Sequence, residues 1–201
     1  MLLLKRLLLG VTYWRWARSV RRQSDELRAA WAYQATDRRY ELVNKALRGQ
    51  LDLQELSVEE SNFVVSTREA LEAAINRGRT PCRLTVFRGV RDFRRWSGGV
   101  RLEAGETLVG QELVQLGFSS TSLSRRVVEA EFAERGTGAL LRISLPRGSP
   151  AAWLAGVGDP RHRRQMELLL PHLVPILVTR VRRDAGFVLV ECEVRPEQVR
   201  R

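Results

Sequence analysis

The sequence predicts an α+β fold, and a change of pattern along the chain is what predicts it. Up to about residue 79 apolar residues recur at helical intervals, and after Pro81 the period falls toward two and the segments shorten. Helices first and a run of mixed strands afterwards is the order expected of an α+β chain. In the helical part Leu27, Trp31, Ala35, Tyr40, Val43 and Leu47 are spaced by three to five residues, and Gly49 stands where such a helix would stop. Ser57 with Glu60 and Ser66 with Glu69 read as two capping boxes. The first would open a helix carrying Phe63 and Val64, the second a helix carrying Leu71, Ala74 and Ile75 that stops at Gly78. Strands are expected over 82–88, 107–108, 117–121, 139–145, 151–154, 166–170, 176–181 and 187–194, with one short helix over 127–133.

A chain of 201 residues is long enough to bury a substantial core. The expected organisation is a basic amphipathic extension over 1–22 and a single domain over 23–201, with a helical part at 23–79 and a β-rich core at 80–195. Residues 1–22 interleave leucines and Trp14 and Trp16 with Lys5, Arg6 and several arginines, and contain no acid. Lys5-Arg6 interrupts the apolar run a secretory signal needs, so no signal peptide is expected. Such a helix suits a membrane surface or the domain's own surface. No stretch approaches the roughly 20 uninterrupted apolar residues of a membrane span. Cys82 and Cys192 fall in separate expected strands without zinc spacing and read as small buried residues. The net charge of +11, almost all of it arginine, predicts attraction to nucleic acid, anionic membrane or an acidic protein surface without choosing among them.

Three short motifs in fixed order carry chemistry: Phe87-Arg88-Gly89, then Phe118-Ser119-Ser120-Thr121-Ser122, then Gln165-Met166-Glu167 leading into Leu168-Leu169-Leu170. Arg88 ends an otherwise apolar strand, and Gly89 lets the backbone approach a ligand closely. A guanidinium placed there can fork onto pyrophosphate oxygens. Alternate side chains of a strand share a face, so Gln165 and Glu167 are expected to share a cleft while Met166 turns into the core. The leucines after Glu167 suggest a buried strand, where an unpaired acid would be expensive.

In order and spacing these motifs resemble the arginine, Ser-Thr-Ser and Gln-x-Glu elements of the cholera-toxin-like mono-ADP-ribosyltransferases, over roughly residues 80–194. A further run, Phe132-Ala133-Glu134-Arg135-Gly136, is similar to the Phe-Ala-Gly-Arg run of the Rho-modifying bacterial exoenzymes, with Glu134 where those have glycine. The resemblance implies a split mixed/antiparallel β-sheet core with NAD in the cleft, NAD being consumed as a substrate without a metal. Glu167 would be the catalytic residue, stabilising the positive charge on the ribose as its bond to nicotinamide breaks, the electrostatic device glycosidases use. Ser120 would hold that glutamate, in a register that Ser119 leaves open by one. Arg88, Gly89, Thr121 and Ser122 would bind NAD, with Phe132 on the nicotinamide and Arg135 on a phosphate.

Residues 156–164 are the expected acceptor loop. Members with Glu-x-Glu usually modify arginine, and members with Gln-x-Glu modify asparagine or, in another branch, guanine bases, so Gln165 points away from a protein arginine. Asparagine-modifying members place an aromatic residue shortly before the glutamine, whereas Arg161, His162, Arg163 and Arg164 stand there in this chain. Four potentially basic side chains suit a phosphodiester backbone or an acidic protein face. With the global charge they favour a nucleic acid acceptor, a protein asparagine being the alternative. The expectation is a toxin, effector or defence enzyme acting in the cytoplasm of the producer or a target cell, with an immunity protein as a candidate partner. A non-catalytic nucleic-acid-binding protein would explain the charge but lacks a helix-turn-helix, zinc-finger or RNP signature. A hydrolase using His162 or His172 lacks a nucleophile motif and a third group.

Overall fold

The structure is a computed structural model and describes residues 2–35, 39–131, 138–184 and 187–195. The helical part contains α1 (Leu2–Thr12), α2 (Trp14–Arg22), α3 (Ser24–Gln34), α4 (Arg39–Leu47) and α5 (Val58–Arg77). The run expected as continuous from residue 24 is two helices, because Ala35 takes an extended backbone and ends α3. The apolar spacing carries across the break since both helices face one core, which buries Tyr33 and Val43.

The capping box at Ser57 and Glu60 forms and opens α5. The one expected at Ser66 does not: its hydroxyl donates back to the carbonyl of Phe63 at 3.3 Å, and α5 runs through without a Gly or Pro to stop it. At Gly78, where α5 ends, a side chain would overlap the carbonyl oxygen of Ala151.

From Leu9 onward one face of the basic N-terminal segment packs against the rest of the chain. Leu9, Tyr13, Trp16, Ala17 and Val20 are buried, Tyr13 Oη donates to the carbonyl of Ala151 at 3.1 Å, and Trp16 Nε1 donates to that of Ala74 at 2.8 Å. The opposite face leaves Val11, Trp14, Arg15 and Arg18 exposed. Among the described residues no helix is long and apolar enough to cross a membrane.

Eight strands follow: β1 (Leu84–Val90), β2 (Glu112–Gln115), β3 (Ser119–Ser122), β4 (Ala139–Leu145), β5 (Ala152–Trp153), β6 (Glu167–Leu170), β7 (Val174–Asp184) and β8 (Phe187–Glu193). Their order across the sheet is β2-β7-β8-β4-β1-β3-β6-β5, with β4 and β8 parallel and the other neighbours antiparallel. The sheet is split. β1 pairs with β4 along seven residues but with β3 only at Phe87↔Ser122, so five strands lie on one side of that joint and three on the other.

Two strand expectations fail locally. Residues 107–108 end a 3-10 helix, Leu102–Leu108, and the strand expected at 151–154 shortens to β5 and turns into a helical turn, α8, at Leu154–Val157 once α6 (Phe93–Trp96) and α7 (Arg125–Glu131) have been counted. The edge strand β2 carries too short an alternation to be read in advance and exists through its pairing with β7. Both cysteines are free, and burial pushes the Cys192 thiol up to about 12.

Candidate active site

Beyond the Phe87↔Ser122 pair β1 and β3 part, and a cavity of about 670 Å³ opens there. Helices α3 and α4 wall one side of it with Gln34 and Asn44, the two strands contribute Arg88 and Ser120, and Glu167 enters from the start of β6.

Glu167 is only 6% exposed, and both of its oxygens are held. The Ser120 hydroxyl donates to Oε1 at 2.5 Å and the Gln34 amide donates to Oε2 at 2.6 Å. Burial raises the Glu167 carboxyl above its ordinary range, opposed by these two hydrogen bonds and then by the charges of His162 and Arg88. The hydroxyl that meets the carboxylate is therefore that of Ser120, while the Ser119 hydroxyl is buried without a partner. The other two hydroxyls of the motif brace the strands: Thr121 donates to the carbonyl of Leu168 at 2.6 Å and Ser122 to that of Gln165 at 2.5 Å.

Gln165 is not on the strand, as the alternation had suggested. It ends a 3-10 helix, Pro160–Gln165, and Met166 then takes a left-handed backbone with φ 47 before β6 starts at Glu167. The turn is held from β3, through Ser122 on the carbonyl of Gln165 and the Leu123 N–H on that of Met166. Gln165 and Glu167 both line the cavity, and the Met166 side chain is buried.

The loop expected to meet the acceptor divides its basic residues. Asp159 caps the 3-10 helix by accepting the Arg161 N–H, and its carboxylate pairs with the Arg161 guanidinium at 2.6 Å, which holds the Asp159 carboxyl below its usual range. His162 is half-buried and lines the cavity. Arg163 and Arg164 are exposed. Phe132 and Arg135 lie outside the described residues.

Arg88 stands across the gap from Glu167. Its guanidinium donates to the carbonyl of Ser120 at 3.3 Å, while its Nε is buried without a partner. Burial pulls it below its ordinary range, opposed by Tyr33. The Asn44 amide donates to Tyr33 Oη at 3.0 Å, and its own Oδ1 is buried without a partner. The segment that supplies Gln34 and Asn44 carries no functional motif in the sequence. Asn44 left a faint sign, a polar residue beside the apolar stripe of Tyr40, Val43 and Leu47; Gln34 left none.

Split sheet, helical wall and buried carboxylate are the arrangement expected of the ADP-ribosyltransferase class that the motifs resemble. Residues 12–186 match the family model of the ADP-ribosyltransferase exoenzymes, and the chain belongs to that family. It is an NAD-dependent mono-ADP-ribosyltransferase of a toxin family, and NAD is its substrate. That retires the non-catalytic nucleic-acid-binding reading. No curated protein matches the chain. Its fold is similar to that of Plx2a, an ADP-ribosyltransferase toxin from Paenibacillus larvae, with a TM-score of 0.73 at 18% identity over 95% of this chain and 94% of that one. The C3 exoenzyme of Clostridium limosum gives 0.73 at 15% identity over 97% and 95%. BECa, an ADP-ribosylating toxin of a C. perfringens binary enterotoxin solved with NADH, gives 0.74 at 16% identity over 96% and 48%.

Proposed function

We propose that the chain transfers one ADP-ribose from NAD to a protein acceptor, with Glu167 as the catalytic carboxylate. The observation that carries this is the buried Glu167, fixed through both oxygens at the joint where the sheet splits. A carboxylate aimed before the reaction needs no reorganisation as positive charge grows on the ribose. The nicotinamide–ribose bond breaks, nicotinamide leaves with the bonding pair, and the acceptor nitrogen forms the new bond and sheds a proton. The cavity suits a dinucleotide in size. Arg88 Nε and Asn44 Oδ1 are a donor and an acceptor without a partner among the described residues, and Gly89 beside Arg88 admits a close backbone approach.

For the acceptor, Gln165 offers a neutral amide at the cavity, which matches a carboxamide side chain. With Arg161 paired to Asp159 and His162 turned to the cavity, Arg163 and Arg164 are the outward basic groups of the loop. Two arginines suit a short acidic patch beside an acceptor side chain better than a phosphodiester track. The nucleic-acid reading rests on the net charge of +11, and one experiment separates the two. Incubation of a cell extract with labelled NAD is expected to mark a polypeptide; label in RNA or DNA alone reverses the assignment. In the same assay Gln165→Ala should lose transfer yet keep slow NAD hydrolysis, because water still traps the cation. Equal loss of both activities would place Gln165 in the NAD site.

A further inference from the structure

One side chain joins the carboxylate to the acceptor loop. Gln34 is the last residue of α3; its amide nitrogen donates to Glu167 Oε2 at 2.6 Å, and its amide oxygen accepts the backbone N–H of Asp159 at 2.9 Å. The orientation of the amide is forced. An ionised carboxylate only accepts and a backbone N–H only donates, so a flipped amide would lose both bonds. Asp159 is the residue that caps the 3-10 helix of the loop. The chain just before it is gripped by the same helical wall, with Trp31 Nε1 donating to the carbonyl of Val157 at 3.0 Å and Arg21 to that of Gly156 at 2.6 Å. At Gly158 the approach is so close that a side-chain carbon would overlap Gln34 Oε1, although the backbone there, at φ −75 and ψ −166, is open to other residues.

We propose that Gln34 is a positioning residue that sets the orientation of Glu167 and the seating of the acceptor loop together. This rests on the reading of Glu167 as the catalytic carboxylate. Ser120 alone fixes one oxygen and leaves the carboxylate plane free to rotate; the second donor fixes the plane. Because the same amide also holds Asp159, a shift of the loop root is felt at the carboxylate.

The test uses the full chain and cleavage of a fluorescent NAD analogue followed across pH. Gln34→Met removes both bonds at similar length and adds no charge beside Glu167. The charged or titratable groups facing Glu167, namely Tyr33 from α3, Arg88 from β1 and His162 from the 3-10 helix, are unchanged in this variant. In Gln34→Met kcat should fall roughly tenfold, as for loss of a hydrogen bond to a charged group. The acid limb of the profile should also move to higher pH, because a donor that favours the ionised carboxylate is gone. A merely structural role lowers the active fraction without moving the limb.

Gly158→Ala provides a second route should Gln34→Met not fold. It should lower kcat and move the limb in the wild-type background; on top of Gln34→Ala, where only the 3.0 Å approach to the Leu154 carbonyl remains, it should leave the limb in place and cost much less in kcat. A limb that stays in place in Gln34→Met, or additive effects of Gly158→Ala and Gln34→Ala, overturns the proposal. Glu167→Gln run alongside keeps the two readings apart. If it cleaves NAD normally, the catalytic assignment fails. If it is inactive while the Gln34 variants keep the wild-type limb, only the role of Gln34 fails.

Discussion

The two sides of the split sheet hold opposite charges in opposite states of readiness. On the three-strand side Glu167 has a donor on each carboxylate oxygen. On the five-strand side Arg88 makes one long hydrogen bond of 3.3 Å to Ser120 and keeps a buried Nε without a partner. A buried polar group left unsatisfied is destabilising; the unsatisfied group is at the arginine, whereas the acid is satisfied and bears the cost of burial alone. The difference teaches which half of the site is complete before substrate arrives. The carboxylate is aimed in advance, and the guanidinium is left short of an anion.

The widest separation between the two sides is expected in turnover. Glu167→Ala should lower NAD cleavage by about a hundredfold or more, the usual scale for removing one preorganised electrostatic partner, with little change in NAD affinity and an intact far-UV spectrum. Near-normal turnover in the folded variant would move the chemistry away from this side of the joint. Arg88→Ala should do the reverse, weakening NAD binding by roughly tenfold, on the scale of a lost charge-assisted hydrogen bond, as read by calorimetry. Unchanged affinity would mean that the arginine side is not where the pyrophosphate sits, and that its unsatisfied Nε does not await an anion.

How much of this was legible depended on whether the signal was local. Arg88, Ser120 and Glu167 lie on short strands next to distinctive neighbours, so their positions along the chain carried over to positions in space. Gln34 reaches Glu167 from 133 residues away and leaves no pattern of its own in the sequence. The turn at Met166 was hidden for a related reason. A left-handed backbone at a non-glycine residue is disfavoured locally, and here it is sustained by ties from Ser122 and Leu123 that only the folded sheet supplies. The second capping box shows the limit of a correct local rule. Ser66 and Glu69 have the spacing, yet a helix already running from Val58 has no terminal N–H groups to offer there.

The smallest expected effect concerns stability, and its sign follows from burial. The Glu167 carboxyl is raised above its ordinary value of 4.5, so the native state holds this proton more tightly than the unfolded chain does. Its contribution to stability is therefore greatest below 4.5, where both states are protonated, and declines as pH rises from 4.5 through the raised native value. Glu167→Gln removes that dependence. Thermal melts near neutral pH should place the variant a few degrees above wild type, a shift that for a domain of this size corresponds to about 1 kcal/mol, and the two curves should converge in acid below the ordinary carboxylate value. A variant less stable than wild type near neutral pH would mean that the bonds from Ser120 and Gln34 outweigh burial. In that case the acid would be held low and not raised, and the carboxylate side of the joint would carry no cost at all for its readiness.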